Sequence, residues 1–213
     1  MTKEELFIAT SVYNQIRIGF LSIEEIKDSI FDEIEDNGFS KLISKAWAID
    51  LIEKENVNLI AESQEWERPT DTERLVEAFK ELLQRNIIAL HCAGTTTDDG
   101  EDQVIYVEEN LREMGQRSDG YCFYHEQDLA RAIPSDNPSL SLAFQKVNNS
   151  NDEITIGVGK RVVKALRSNG LETEWDESAT SKIQIINLRW TKFFDPSSDI
   201  RNLASVIELM TRS

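Results

Sequence analysis

His91, Cys92, Cys122 and His125 hold most of the acid-base, thiol and transition-metal chemistry open to this chain of 213 residues, being its two histidines and two cysteines. All four fall between Arg85 and Asp128. Two thiolates and two imidazoles are a common tetrahedral zinc set. The spacing opposes it here. Neighbours on a strand point to opposite faces, so His91 and Cys92 diverge unless the strand has ended, and Cys122 and His125, three apart, meet the same parity problem. Structural zinc sites draw their pairs from turns with two to four intervening residues. A nucleophilic pair such as Cys92 with His125 would need a thiolate held by positive surroundings, and this neighbourhood is acidic. The expectation is therefore no metal and no cofactor: the cysteines serve as small buried groups, and the histidines hydrogen-bond at strand ends.

The acidic stretch Thr95-Thr96-Thr97-Asp98-Asp99-Gly100-Glu101-Asp102 sits where an apolar run hands over to a helix, a usual place for functional groups on an open sheet. Its carboxylates suit a hard cation. An EF-hand with its glycine at Gly100 would need acidic or amide ligands at Thr95 and Thr97 and a glutamate at Tyr106, and these are missing. The plainer expectation is a capped helix start, with Asp98 or Asp99 bonding free amides and favoured by the helix dipole. Gly157-Val158-Gly159-Lys160-Arg161 lacks the glycine at Ile154 and the hydroxyl at Arg161 that a Walker loop requires, and it continues a helical stripe. Glu174-Trp175-Asp176, with Lys182 and Arg189 on the following strand, reads as an ion-paired hairpin or a recognition rim, the ion-paired hairpin favoured because an aromatic at a strand end is usually core.

Periodicity supplies the elements that place these groups. Thr2 with Glu5 has capping-box spacing, and Leu6, Ala9, Tyr13, Ile16 and Phe20 follow at helical intervals. Ser22 and Glu25 repeat the start signal, Ile23, Ile26, Ile30 and Ile34 repeat the stripe, and Asn37-Gly38 stops it. A third helix is expected from about Ser40, carrying Leu42, Ile43, Ala46, Trp47 and Ile49 or Ile52 inward. None of the three holds itself together alone; each buried apolar side chain contributes about 1.5–3 kcal/mol. They predict a helical subdomain over 1–66. Pro69, with Thr70 or Asp71 as a cap, marks the boundary.

From residue 69 to 213 apolar runs alternate with helices. Leu75, Ala78, Phe79, Leu82 and Leu83 mark a helix to about Arg85. Strands follow at Ile87 to Ala93, Tyr121 to His125, Leu140 to Phe144, Leu171 to Trp175 and Lys182 to Trp190. Helices are expected near Asp102 to Met114, Glu126 to Ile133, and on Ile154, Val158, Val162 and Leu166. Ile200, Leu203, Ile207 and Met210 indicate a terminal helix packed on the domain. The fold class is α/β or α+β: a mixed, partly parallel five-stranded sheet with flanking helices, its last two strands antiparallel, preceded by the helical subdomain.

The block from about Pro69 to Trp190 resembles an uncharacterised bacterial family known only as a domain of unknown function. The resemblance rests on Pro69-Thr70-Asp71 with Arg74-Leu75 and Ala78-Phe79, on Gly120-Tyr121-Cys122-Phe123-Tyr124-His125-Glu126-Gln127-Asp128-Leu129, on Arg161-Val162-Val163-Lys164-Ala165-Leu166 before Gly170-Leu171, and on Glu174-Trp175-Asp176. Members of that family sometimes carry a cysteine cluster after the first strand, where this chain runs from Gly94 to Gly100 without cysteine. The resemblance implies no activity.

Composition narrows the function. With 39 acidic against 23 basic residues the net charge is −16, a balance that repels a phosphate backbone and excludes nucleic acid as a partner. The charge is denser over 1–68 than beyond. Two cysteines thirty positions apart form no disulfide framework, the first residues lack a signal peptide's pattern, and no run spans a bilayer, so the expectation is a cytoplasmic protein without a membrane partner. Two readings follow. One is a non-enzymatic acidic interaction module, of an immunity or regulatory type, that binds a basic protein partner. The alternative is a hydrolase or metal-dependent enzyme at the strand ends near Gly94 and His125, centred on His91, Asp98, Asp99, Tyr124, His125 and Asp128.

Overall fold

In a computed structural model, which describes residues 1–212, the chain forms two units. One comprises Met1–Thr70 with Trp190–Asp199; the other comprises Asp71–Arg189 and the stretch from Ile200 to the C-terminal end. The expectation of one continuous second domain did not foresee the ten-residue return to the helical unit.

The helical unit is built from α1 (Lys3–Ile18), α2 (Ile23–Asp36) and α3 (Lys45–Ser63). The capping boxes at Thr2/Glu5 and Ser22/Glu25 both form. On α2 the expected stripe is the buried one: Ile26, Ile30 and Ile34 are all inside. On α1 the stripe is displaced. Ile8, Val12 and Ile16 are buried, while Leu6 is 56% exposed and Tyr13 is half-buried. Apolar residues occupy Leu6, Phe7, Ile8 and Ala9 in succession, so two faces of the helix qualify by spacing, and packing against α2 and α3 selects the one containing Ile8. The third helix starts at Lys45, capped by Ser44; Ile43 and Ile52 are buried as expected, while Leu42 and Ala46 stand exposed and Ala48 enters the core instead. Arg17 ties α1 to α3 through Glu55 at 3.2 Å and Glu62 at 2.7 Å. The 190–199 segment packs here through Trp190, whose ring lies 6.1 Å from that of Phe20 and whose indole N–H donates to Ile18 O at 3.2 Å.

The second unit is a five-stranded sheet with helices on both faces. Its elements are α4 (Asp71–Gln84), β1 (Ile87–Leu90), α5 (Thr97–Glu113), β2 (Gly120–Phe123), α6 (Glu126–Ala132), β3 (Ser139–Gln145), α7 (Asp152–Ser168), β4 (Thr173–Glu174), β5 (Ile183–Ile186) and α8 (Leu203–Thr211). The order is β1-β2-β3-β5-β4, with β1 and β2 parallel and every other pair antiparallel. Both faces of β1 and β2 are covered, so these strands are apolar and buried throughout. By contrast, β3 alternates, with Leu140, Leu142 and Phe144 buried and Ser139 and Ser141 bonded to Gln184 Oε1 at 3.0 and 2.9 Å. Alternate residues of β2 face different helices: Gly120 meets Val158 of α7, and Phe123 meets Gly100 of α5. Helix α7 carries Val158, Val162 and Leu166 inward as expected, but Ile154, in its first turn, is 43% exposed. Among the described residues no helix is long and apolar enough to cross a membrane.

Candidate functional site

Parallel pairing brings the ends of β1 and β2 together, Leu90 level with Phe123. The pairing runs on past both strands: Ala93 N–H donates to Tyr124 O at 2.8 Å, and Glu126 N–H donates to Gly94 O at 3.0 Å. Both strands are shorter than the apolar runs predicted, so His91, Cys92 and His125 all lie beyond them. The parity argument therefore does not govern these residues, and the turns decide where they point. Cys92 turns the chain in the left-handed region (φ 48°), followed by Gly94 (φ 65°). A side chain at Gly94 would lie 2.2 Å from Asp99 Cβ, so glycine is needed there on both counts.

Two helices start at this edge, and each closes with the same device. Helix α5 begins at Thr97, five residues earlier than the sequence suggested, so most of the acidic stretch is helix. The cap is Thr96 rather than an aspartate. Its hydroxyl accepts from Asp99 N–H, while Asp99 Oδ2 accepts from Thr96 N–H at 2.8 Å, Thr95 N–H at 3.1 Å and the Thr96 hydroxyl at 2.9 Å. These bonds from Thr96 and Thr95 hold the Asp99 carboxyl below the ordinary carboxylate range. Asp98 stands exposed in the first turn, where the helix dipole favours it.

Helix α6 repeats the arrangement with histidine as the cap. His125 Nδ1 accepts from Asp128 N–H at 3.2 Å, its Nε2 lies 3.1 Å from Asp128 Oδ2, and its own N–H points at the same oxygen at 3.5 Å. The ring is 5% exposed. Burial, opposed by Asp128 and aided by Lys182 and Arg131, lowers the imidazole below its ordinary value. A neutral ring with its proton on Nε2 satisfies both bonds, leaving no free nitrogen lone pair to take a proton from a substrate. Asp128, also buried, is neutralised by Lys182 Nζ at 3.3 Å and Arg131 Nη1 at 3.7 Å. Lys182 was expected to pair within the final hairpin; it crosses to α6 instead.

His91 stacks on Phe79 with ring centroids 4.4 Å apart and shares a hydrogen bond between its Nδ1 and the Tyr124 hydroxyl at 3.2 Å. Tyr124 is fully buried, and burial with the nearby Cys92 raises its hydroxyl well above the ordinary value, Arg201 opposing. Cys122 is mid-strand and buried, and its thiol is pushed up by burial. Of the predicted site residues, the structure joins His91 with Tyr124 and His125 with Asp128, and Asp99 lies near enough for its charge to act on His125. Among the described residues, no group of three or more His, Cys, Asp or Glu side chains is placed to hold a metal ion. Trp175 packs on Phe144, 5.1 Å between centroids, and Trp190 belongs to the helical unit.

Sequence reasoning missed Thr96 and Lys182. The first was legible, since Thr96 and Asp99 have capping-box spacing. The second was not, because 54 positions separate Lys182 from Asp128 and no local pattern links them.

A family described as a domain of unknown function (DUF6891) matches residues 2–194, and the chain belongs to it. No curated protein and no solved structure matches the chain.

Proposed function

We propose that this member of the family is a non-enzymatic, cytoplasmic interaction module that engages a basic protein partner. One observation carries the reading: on α2, Glu24, Glu25, Asp28, Asp32, Glu35 and Asp36 are all exposed, against a single lysine, Lys27, paired with Glu24 at 3.0 Å. A ridge of this kind speeds encounter with a basic surface and repels acidic ones. The arrangement at the strand ends supports the non-enzymatic half, because the groups best suited to catalysis are engaged in capping and core bonds.

The test is recovery of the protein from native cell extract at low salt, followed by reconstitution with the purified partner. The reading expects a stoichiometric basic protein whose binding weakens steeply as salt rises. Recovery of no stoichiometric partner contradicts it. The enzyme alternative keeps one supporting observation, the proximity of Asp99, His125 and Asp128 at adjoining helix starts. It expects a hydrolytic or metal-dependent turnover that His125→Ala and Asp128→Asn both abolish.

A further inference from the structure

We infer that the recess between α7 and the turn after β4 binds a small aromatic phosphate monoester, its ring lying on Val163 and Trp175 and its charged head on Lys164 and Arg167. The inference does not rest on the interaction reading above. The recess has a volume of about 560 Å³, within the range of pockets that enclose small ligands. Lys160, Val163, Lys164 and Arg167 line it from one face of α7, three and four positions apart, and Trp175 and Glu177 close the other side. Trp175 is half-buried and held in one orientation: its indole N–H donates to Ser178 O at 3.1 Å, and its ring meets Phe144 edge-on. A side chain at Gly159 would come within 2.5 Å of that ring, so glycine there is what lets Trp175 lie against α7.

The charges are unlike those of the rest of the chain. From Ile154 to Gly170 there are four bases and no acid, although acids outnumber bases 39 to 23 overall. Lys160 is paired with Glu177 at 2.8 Å. Among the described residues, Lys164 and Arg167 are paired with no carboxylate. Arg167 is held by Thr173 instead, its Nε donating to the hydroxyl at 2.8 Å and its Nη2 to the carbonyl at 3.1 Å, which fixes the guanidinium and leaves Nη1 uncommitted. Asp176 accepts from Ser178 N–H at 3.0 Å and from the Ser181 hydroxyl, so its charge is satisfied within its own turn.

Two cations without counter-charge beside an apolar floor suit one class of ligand. A neutral ring would leave both cations bare, a cation would be repelled, and a carboxylate would balance only one of them. A phosphate monoester carries close to two negative charges at neutral pH and offers three acceptor oxygens to an ammonium and a guanidinium. A flat ring attached to it gains contact with Val163 and stacking on Trp175. The net charge of −16 does not override this, because at physiological ionic strength charges beyond about 8 Å are largely screened and the nearest groups decide.

The probe is phenyl phosphate, titrated at neutral pH into the nitrogen-labelled full chain and followed by NMR. Saturable shifts are expected at the Trp175 indole N–H and at the amides from Lys160 to Ser168. Lys164→Gln should weaken binding about fivefold, the upper end of what an exposed ion pair contributes, and Lys164→Arg should restore it. Lys41→Gln, an exposed lysine of the helical unit, removes the same charge and should change binding by less than about twofold. Inorganic phosphate, which lacks the ring, and benzyl alcohol, which lacks the charge, should each bind at least about fivefold more weakly than phenyl phosphate. Adenosine monophosphate, titrated alongside, assigns the ring to a nucleobase if it binds more tightly than phenyl phosphate and to a single ring if it does not; both results support the inference. Absence of saturable shifts with phenyl phosphate would overturn it. So would equal binding of inorganic phosphate or benzyl alcohol, or equal weakening by Lys164→Gln and Lys41→Gln. Because Lys164 is exposed, its variants should keep the wild-type spectrum away from the recess.

Discussion

The strand-end cluster of the sheet unit and the α1/α2 groove of the helical unit treat buried polar atoms in opposite ways. At the strand ends, both ring nitrogens of buried His125 are engaged, buried Asp128 faces Lys182 and Arg131, and beside them the exposed Asp99 accepts three hydrogen bonds. In the groove, Asn14 Oδ1 and Glu33 Oε2 are buried without a donor. A satisfied network stabilises the chain that contains it, whereas orphaned acceptors lower its stability. By that criterion the bonds at the strand ends strengthen the sheet unit, whereas the unbonded acceptors of Asn14 and Glu33 weaken the helical one.

The largest effect is expected where a satisfied network is broken. Asp128→Ala removes the carboxylate that faces the backbone N–H and Nε2 of His125 and leaves Lys182 without its buried counter-charge, so urea denaturation should show a loss of about 3 kcal/mol. Gly100→Ala follows: its new Cβ would lie 2.3 Å from the Phe123 ring, and overpacking of this kind costs about 1–3 kcal/mol. If the clash is the cause, Phe123→Leu in the same chain should recover part of the loss. His125→Ala should cost about 1 kcal/mol as a lost cap. Should it cost nothing, His125 is not the cap that the comparison requires.

Acidification tests the strand ends without mutation. His125 is lowered from 6.5 by burial, so the folded protein binds its proton less readily than the unfolded chain does. Its contribution is fully present above pH 6.5 and is lost as pH falls through the lower folded value. Asp99, lowered from 3.8 by the bonds from Thr96 and Thr95, adds a second loss at more acidic pH, beginning near 3.8 and complete below its folded value. The His125→Ala protein should lack the first decline and keep the second, as read from urea midpoints across pH.

The smallest effect is expected in the groove itself. Asn14→Leu, which removes the unbonded Asn14 Oδ1, should leave the melting temperature unchanged or raise it by a few degrees, the reverse of the change at Asp128.

How much of this was legible from residue order varies with how local the cause is. The α2 stripe was plain because Ile26, Ile30 and Ile34 repeat at intervals of four with one apolar face available. The α1 stripe was misread because Leu6 and Ile8 both begin plausible stripes, and neighbouring helices choose between them. The mixed sheet was legible because helices separate its strands. The start of α5 was obscured by a run of threonine, aspartate and glycine that resembles a loop, although Gly100 is there to admit the Phe123 ring. The candidate site was legible only in part: the cap at His125 has local spacing, but the Lys182 contact and the orphaned acceptors arise from tertiary packing.

The most direct measurement is the nitrogen-detected NMR titration of His125 in the intact protein. A ring committed to capping should hold a single neutral tautomer protonated on Nε2 at pH 7 and take up its second proton only below pH 6.5. Rapid tautomer exchange, or a titration midpoint above 6.5, would show an imidazole free to move protons and contradict the assignment of the strand ends to structure.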